Sequence, residues 1–120
     1  MNCTVKKAEE IIFTSEGKWL YPLFELEDFL KDHEYNPAKL ILEDKIIGRG
    51  AAVLIARLGI RKCHGRLVSR KAFLVSEREG LEISWDELVD SIECQTEIAL
   101  HDRMTLEESY TELARRAGRL

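Results

Sequence analysis

The sequence predicts one layered α/β domain in which some strands pair in parallel. Short aliphatic runs suited to strands alternate with helical patterns of ten or more residues, and a helix between two strands is what a parallel pair needs. Size points the same way: 120 residues can bury one hydrophobic core without disulfides or a structural metal.

Residues 3–6 and 10–14 read as two short strands, with Val5, Ile11, Ile12 and Phe13 as β-formers around the polar Lys7-Ala8-Glu9. Ser15-Glu16-Gly17 breaks this hairpin. Between Trp19 and Lys31, Leu20, Leu23, Phe24, Leu26, Phe29 and Leu30 recur at helical spacing, and Pro22 fits only in the first turn. After His33-Glu34-Tyr35-Asn36-Pro37, the run Lys39-Leu40-Ile41-Leu42 is a buried strand that Asp44 is expected to end. The next helix is placed at residues 46–58, apolar nearly all round and hence central, with Gly59 closing it. Residues 60–68 hold another strand, and Ser69 caps a helix that Gly80 stops. Leu81 to Ile83 is read as a brief strand, followed by a helix over 84–92 opened by the capping box Ser84-Trp85-Asp86-Glu87. Thr105-Leu106-Glu107-Glu108 has the same form and opens a C-terminal helix, with Arg115 and Arg116 near its end as the helix dipole prefers. Residues 93–103 give no pattern, and no linker or repeat divides residues 1–120.

Composition excludes several function classes. Apolar residues at 45% and charged residues at 33% are globular values, and the apolar stretch from Gly50 to Ala56 is far too short to span a bilayer. The start Met-Asn-Cys-Thr-Val-Lys-Lys lacks the apolar run of a secretory signal, which points to the cytoplasm. Cys3, Cys63 and Cys94 are odd in number and widely spaced, so neither a disulfide framework nor a Cys-x-x-Cys zinc pair is expected. Charge is segregated. Lys45, Arg49, Arg57, Arg61, Lys62, Arg66, Arg70 and Lys71 fall within residues 45–71, which hold none of the 22 acids. If these bases converge they form an anion site; otherwise they pair with the acidic remainder or a neighbouring subunit. The net charge of −4 disfavours nucleic acid, whose binding rests on neutralising phosphates.

The run Leu42-Glu43-Asp44-Lys45-Ile46-Ile47-Gly48-Arg49-Gly50-Ala51-Ala52, then Leu58-Gly59-Ile60 and Leu67-Val68-Ser69-Arg70-Lys71-Ala72, resembles a small prokaryotic family. That family is a domain of unknown function with a cytidine deaminase-like fold. Its pattern is a strand ending in Asp-Lys, two aliphatics, a glycine and an alanine-rich helix, then a strand ending in Ser before an alanine-bearing helix. The matching residues are Asp44, Lys45, Gly48, Ala51, Ala52, Ser69 and Ala72, and Gly17 to Leu26 resembles the family's glycine, proline and leucine helix start. The resemblance spans residues 9–97 and implies a three-layer α/β/α sandwich with a mixed sheet, but no activity. Cys94-Gln95-Thr96-Glu97 keeps only the outer residues of the family's Cys-Pro-Met-Glu motif, and the asparagine-arginine pair is absent. The helix after Met104 lies outside the family pattern, as an added element for dimerisation or for covering an edge.

Zinc deamination needs a histidine or cysteine two residues before a glutamate at one helix start and Pro-Cys-x-x-Cys at the next. The chain has neither, with His33, His64 and His101 scattered, so no zinc and no cofactor are expected. The resemblance instead brings two helix starts to strand ends, where free backbone N–H groups and helix dipoles attract an anion. The candidate ligand-binding residues are Asp44, Lys45, Gly48, Arg49, Ser69 and Arg70, for a phosphate- or nucleotide-like anion with Asp44 orienting a hydroxyl, amine or water. Simpler roles stand beside this: Asp44 and Ser69 as caps, and Gly48 and Gly50 as points of close helix packing. Gly48-Arg49-Gly50 is a poor dinucleotide fingerprint, because Val53 stands where glycine or alanine is wanted. Cys63 and His64, adjacent in a strand, point to opposite faces and make no nucleophilic pair. Trp19, Tyr21, Tyr35 and Trp85 read as core or interface anchors.

The leading expectation is thus a small-ligand-binding domain. A structural or assembly module, with a homodimer as one form, is the alternative, and a zinc-independent hydrolase or transferase using Asp44 as base is a third reading.

Overall fold

The computed structural model describes residues 2–92, 100–101 and 103–120. Hairpin strands β1 (Cys3–Lys7) and β2 (Glu10–Ser15) lead into helix α1 (Tyr21–Lys31). A 3-10 turn at Pro37–Lys39 precedes β3 (Leu40–Ile47), α2 (Arg49–Arg57), β4 (Lys62–Ser69), α3 (Arg70–Glu79) and β5 (Glu82–Val89). Helix α4 (Leu106–Arg116) follows. The five strands form one mixed sheet in the order β2-β1-β3-β4-β5, with β1 antiparallel to both neighbours and β3, β4 and β5 parallel.

Strand alternation sorts the sheet into two faces. Val5, Leu42 and Cys63 are paired neighbours and all buried, and this face carries the helices. Phe29 of α1 packs on Phe13 at 5.4 Å between ring centroids, and Phe73 of α3 meets Trp85 edge-on at 5.6 Å. Between them α2 has Gly50 through Ala56 all buried, as its uniformly apolar sequence requires. The layers run from the sheet, through α1, α2 and α3, to α4 lying against α2. The expected α/β class and mixed sheet are present. On the other face, Lys6, Ile41, Lys62 and Glu82 form a row of paired neighbours, with Ile41, Lys62 and Glu82 exposed.

Local signals locate several elements well. Ser69 Oγ accepts the Ala72 N–H at 3.1 Å, and Gly80 ends α3 in the left-handed region at φ 71°. In the capping box of α4, Thr105 Oγ1 accepts from the Glu108 N–H and Glu108 Oε1 accepts from the Thr105 N–H, each at 3.0 Å.

Two boundaries differ from expectation. Asp44 does not end its strand: β3 runs on to Ile47, because Ile46 pairs with Leu67 and Ile47 with Val68. Helix α2 therefore starts after Gly48 rather than at Ile46. The capping-box helix expected at residues 84–92 is not formed, since Ser84, Trp85 and Glu87 extend β5 in parallel register with His64, Gly65 and Leu67. Long-range pairing overrides the local helix signal in both places. Most of the unpatterned stretch, with Cys94-Gln95-Thr96-Glu97, lies outside the described residues.

Two residues tie the elements together at close quarters. Arg61 donates to the Ala56 carbonyl at 3.2 Å and the Glu79 carbonyl at 3.0 Å, joining the C-terminal ends of α2 and α3. At Gly65 a Cβ would lie 2.7 Å from Val68 Cγ2 and 3.0 Å from Ile47 Cδ1. Gly65→Ala is expected to lower stability by about 1 to 3 kcal/mol through overpacking, read from the urea midpoint at unchanged m.

Candidate functional site

A cleft of about 360 Å³ opens where the N-terminal end of α1 meets the junction of β3 and α2. Trp19, Leu20 and Pro22 line it on the α1 side, and Lys45, Ile46, Gly48, Gly50 and Ala51 line it from the junction. Asn2, Gly17, Lys18, Asp44 and Ile92 also line it.

The local chain conformation explains this shape. Helix α2 begins at Gly48, which has no side chain to cap it, and its first internal bond runs from the Ala52 N–H to the Gly48 carbonyl at 3.0 Å. The first-turn N–H groups therefore carry the positive end of the helix dipole toward the cleft with no cap from residue 48. On the α1 side Trp19 holds φ at 56°, a left-handed conformation that a bulky residue adopts only under constraint from its surroundings. Its ring meets Tyr21 edge-on at 5.2 Å, and both are exposed, as is Ile46. The apolar rim thus includes Trp19, read from the sequence as a core or interface anchor.

Asp44 is the titratable centre. It follows Leu42 on the helix-bearing face and pairs with Cys3 and Gly65 on its two sides. Its Oδ1 accepts the Lys45 N–H at 2.7 Å, and the Ile46 N–H also favours the ionised form. Burial outweighs both and pushes the carboxyl up from 3.8 to about 6. Such a group accepts hydrogen bonds at neutral pH and takes up a proton in mild acid. Cys3 and Cys63, also on this face, have thiols pushed up to about 12 by burial and then by Asp44, so they remain protonated and inert.

Three of the six candidate residues meet here: Asp44, Lys45 and Gly48. The other three do not line the cleft. Arg49 turns away, is buried, and donates to the Leu100 carbonyl at 2.6 Å. Ser69 is fully buried as the cap of α3, and Arg70 Nε reaches Asp90 Oδ1 at 2.8 Å. The basic segment disperses in the same way: Arg57 pairs with Glu27 and Glu107, Lys62 with Glu82, and Arg61 with helix carbonyls. Only Lys45 of the eight bases lines the cleft. The α1 side was missed because nothing local links residues 17–22 to the end of β3; Pro22 in a first turn was the one available sign that a helix start lay there. Among the described residues, no three His, Cys, Asp or Glu side chains come together to hold a metal ion.

The chain matches the family of domains of unknown function DUF1893 (TM1506) over residues 1–115. It belongs to this family. The match extends beyond residues 9–97 and takes in most of α4. The crystal structure of a DUF1893 family protein (TM1506) from Thermotoga maritima at 2.70 Å resolution superposes with a TM-score of 0.82 at 20% identity, covering 96% of this chain and 80% of that one. At that identity the likeness establishes the fold. No curated protein matches the chain in sequence.

Proposed function

We propose that this DUF1893 chain is a small-ligand-binding domain and that the ligand occupies the Asp44 cleft. The observation that carries the reading is the juxtaposition of a part-buried carboxyl with an uncapped helix start and Lys45 inside one apolar-rimmed cleft. An anionic group of the ligand, of phosphate or nucleotide type, lies toward the α2 start and Lys45. A hydroxyl, amine or water donates to Asp44, and the apolar remainder lies against Trp19, Pro22 and Ile46. The cytidine deaminase-like scaffold stays an inference from the resemblance, and no zinc step enters the proposal.

A second reading uses the same site. A carboxyl near 6 is suited to general acid-base work, which favours the hydrolase or transferase alternative with Asp44 as base. The side of α4 that carries Ser109, Leu113 and Ala114 is buried within the chain, so it is not the surface that the assembly alternative would use. No described helix is long and apolar enough to cross a membrane.

The test is thermal unfolding against inorganic phosphate, sugar phosphates and nucleotides. One ligand class is expected to raise Tm, by about 2.7 kcal/mol of stabilisation at a hundredfold excess over Kd, and Lys45→Ala is expected to shrink the shift. No shift with any member of the panel overturns the reading.

A further inference from the structure

The parallel pairing of β4 and β5 sets His64 beside Ser84, with Asp86 two residues further along β5 on the same face. This is the face opposite the helices and away from the Asp44 cleft. Ser84 Oγ lies 2.7 Å from His64 Nδ1, and Asp86 Oδ1 lies 3.1 Å from His64 Nε2. The two contacts fix one arrangement of protons for neutral His64. An ionised carboxylate only accepts, so Nε2 carries the hydrogen and donates to Asp86. Nδ1 is then the bare nitrogen, and the Ser84 hydroxyl donates to it. A hydroxyl, an imidazole base and a carboxylate that orients the base form the constellation that makes serine nucleophilic, recognised by geometry rather than by sequence order.

We propose that Ser84 is a nucleophile that accepts acyl groups from small activated esters, with His64 as its base and Asp86 as the positioning residue. As Ser84 Oγ bonds to the ester carbonyl carbon, its proton passes to Nδ1 and the carbonyl electron pair moves onto oxygen. Collapse of this oxyanion expels the alkoxide or phenolate, which takes the proton from Nδ1. Acyl-Ser84 and a free alcohol or phenol result. Water repeats the steps in the second half, its proton passing to Nδ1 and then to Ser84 Oγ as the carboxylic acid leaves. Arg66, exposed two residues beyond His64 on β4, supplies positive charge for the oxyanion. Among the described residues, charged neighbours on this face include Glu43, paired with His64 on β3 and bonded to Lys6 at 3.4 Å, and Lys62 and Glu82, which pair with each other at 3.6 Å. His64 and Asp86 are open to solvent, so the proposed site takes acyl groups by reactivity rather than by fit.

The test uses the whole chain with p-nitrophenyl acetate, following nitrophenolate release and intact mass. One acetyl group is expected, mapped to Ser84 and absent in Ser84→Ala. Release is expected to fall roughly a hundredfold in His64→Gln and roughly tenfold in Asp86→Asn, with Tm unchanged in all three. In the parent the rate should depend on pH through the base, and that dependence should vanish in His64→Gln. Acetylation confined to lysines, no adduct, or equal release from Ser84→Ala overturns the proposal.

Discussion

Near neutral pH, Asp44→Asn is expected to be more stable than the parent chain by about 3 kcal/mol while losing response to whichever ligand shifts the parent. Burial pushes the Asp44 carboxyl from 3.8 to about 6, so the folded state holds this proton more tightly than the unfolded chain does. Below the lower value both states are protonated and ionisation costs nothing. As pH rises between the two values the unfolded chain ionises first, stability falls, and the penalty is complete once pH exceeds the upper value. Asparagine keeps an oxygen for the Lys45 N–H and stays neutral. The check is a set of urea midpoints across this window for both proteins. The parent should lose stability with rising pH by a step that Asp44→Asn lacks. Identical slopes would refute the account, and a variant that still responds to the parent's ligand would separate the carboxyl from binding.

Glu27→Ala is expected to destabilise the domain by about 3 kcal/mol. This α1 carboxylate accepts from Arg57 Nη1 at 2.9 Å, Tyr110 Oη at 2.9 Å and Arg119 Nη2 at 3.1 Å, linking α1, α2 and the C-terminal segment. The Arg57 guanidinium also lies 3.5 Å over the Tyr110 ring. Truncation removes the acceptor that three donors share, leaving Arg57 with Glu107 and the Tyr110 ring and Arg119 with Asp28 at 2.7 Å. The melting temperature should fall by roughly 10 °C, and amide exchange in α4 should accelerate more than in the β3–β4 core. A loss below about 1 kcal/mol, the range of a surface ion pair, would show that the apolar face of α4 docks it unaided.

Where a signal is local, it was legible. Ser69 with Gly80 bracketed α3, and Thr105 with Glu108 opened α4, because caps are decided by a few neighbouring residues. The end of β3 was not legible, since Lys45-Ile46-Ile47 suits a strand or a helix until Leu67 and Val68 of β4 are beside it. At residues 84–87 a capping box competed with the alternation Glu82-Ile83-Ser84-Trp85-Asp86, and the alternation described the strand that formed. That same period-2 pattern was the available sign that Ser84 and Asp86 share a face. At the cleft, Asp44, Lys45 and Gly48 could be found because they fall in the one continuous run that carries the family resemblance. Trp19 and Pro22 reach the cleft only through the tertiary placement of α1.

Glu27 also bears on how the polypeptide is made. Two of its three partners lie 83 and 92 residues downstream. A ribosome delivers the sheet and α1 to α3 well before Tyr110 and Arg119, and a nascent chain folds from what has emerged. Until those residues arrive, α2 has no outer cover and the Glu27 carboxylate lacks two of its donors. A polypeptide released early, before Tyr110, would therefore present to chaperones and proteases the surface that α4 hides in the finished domain.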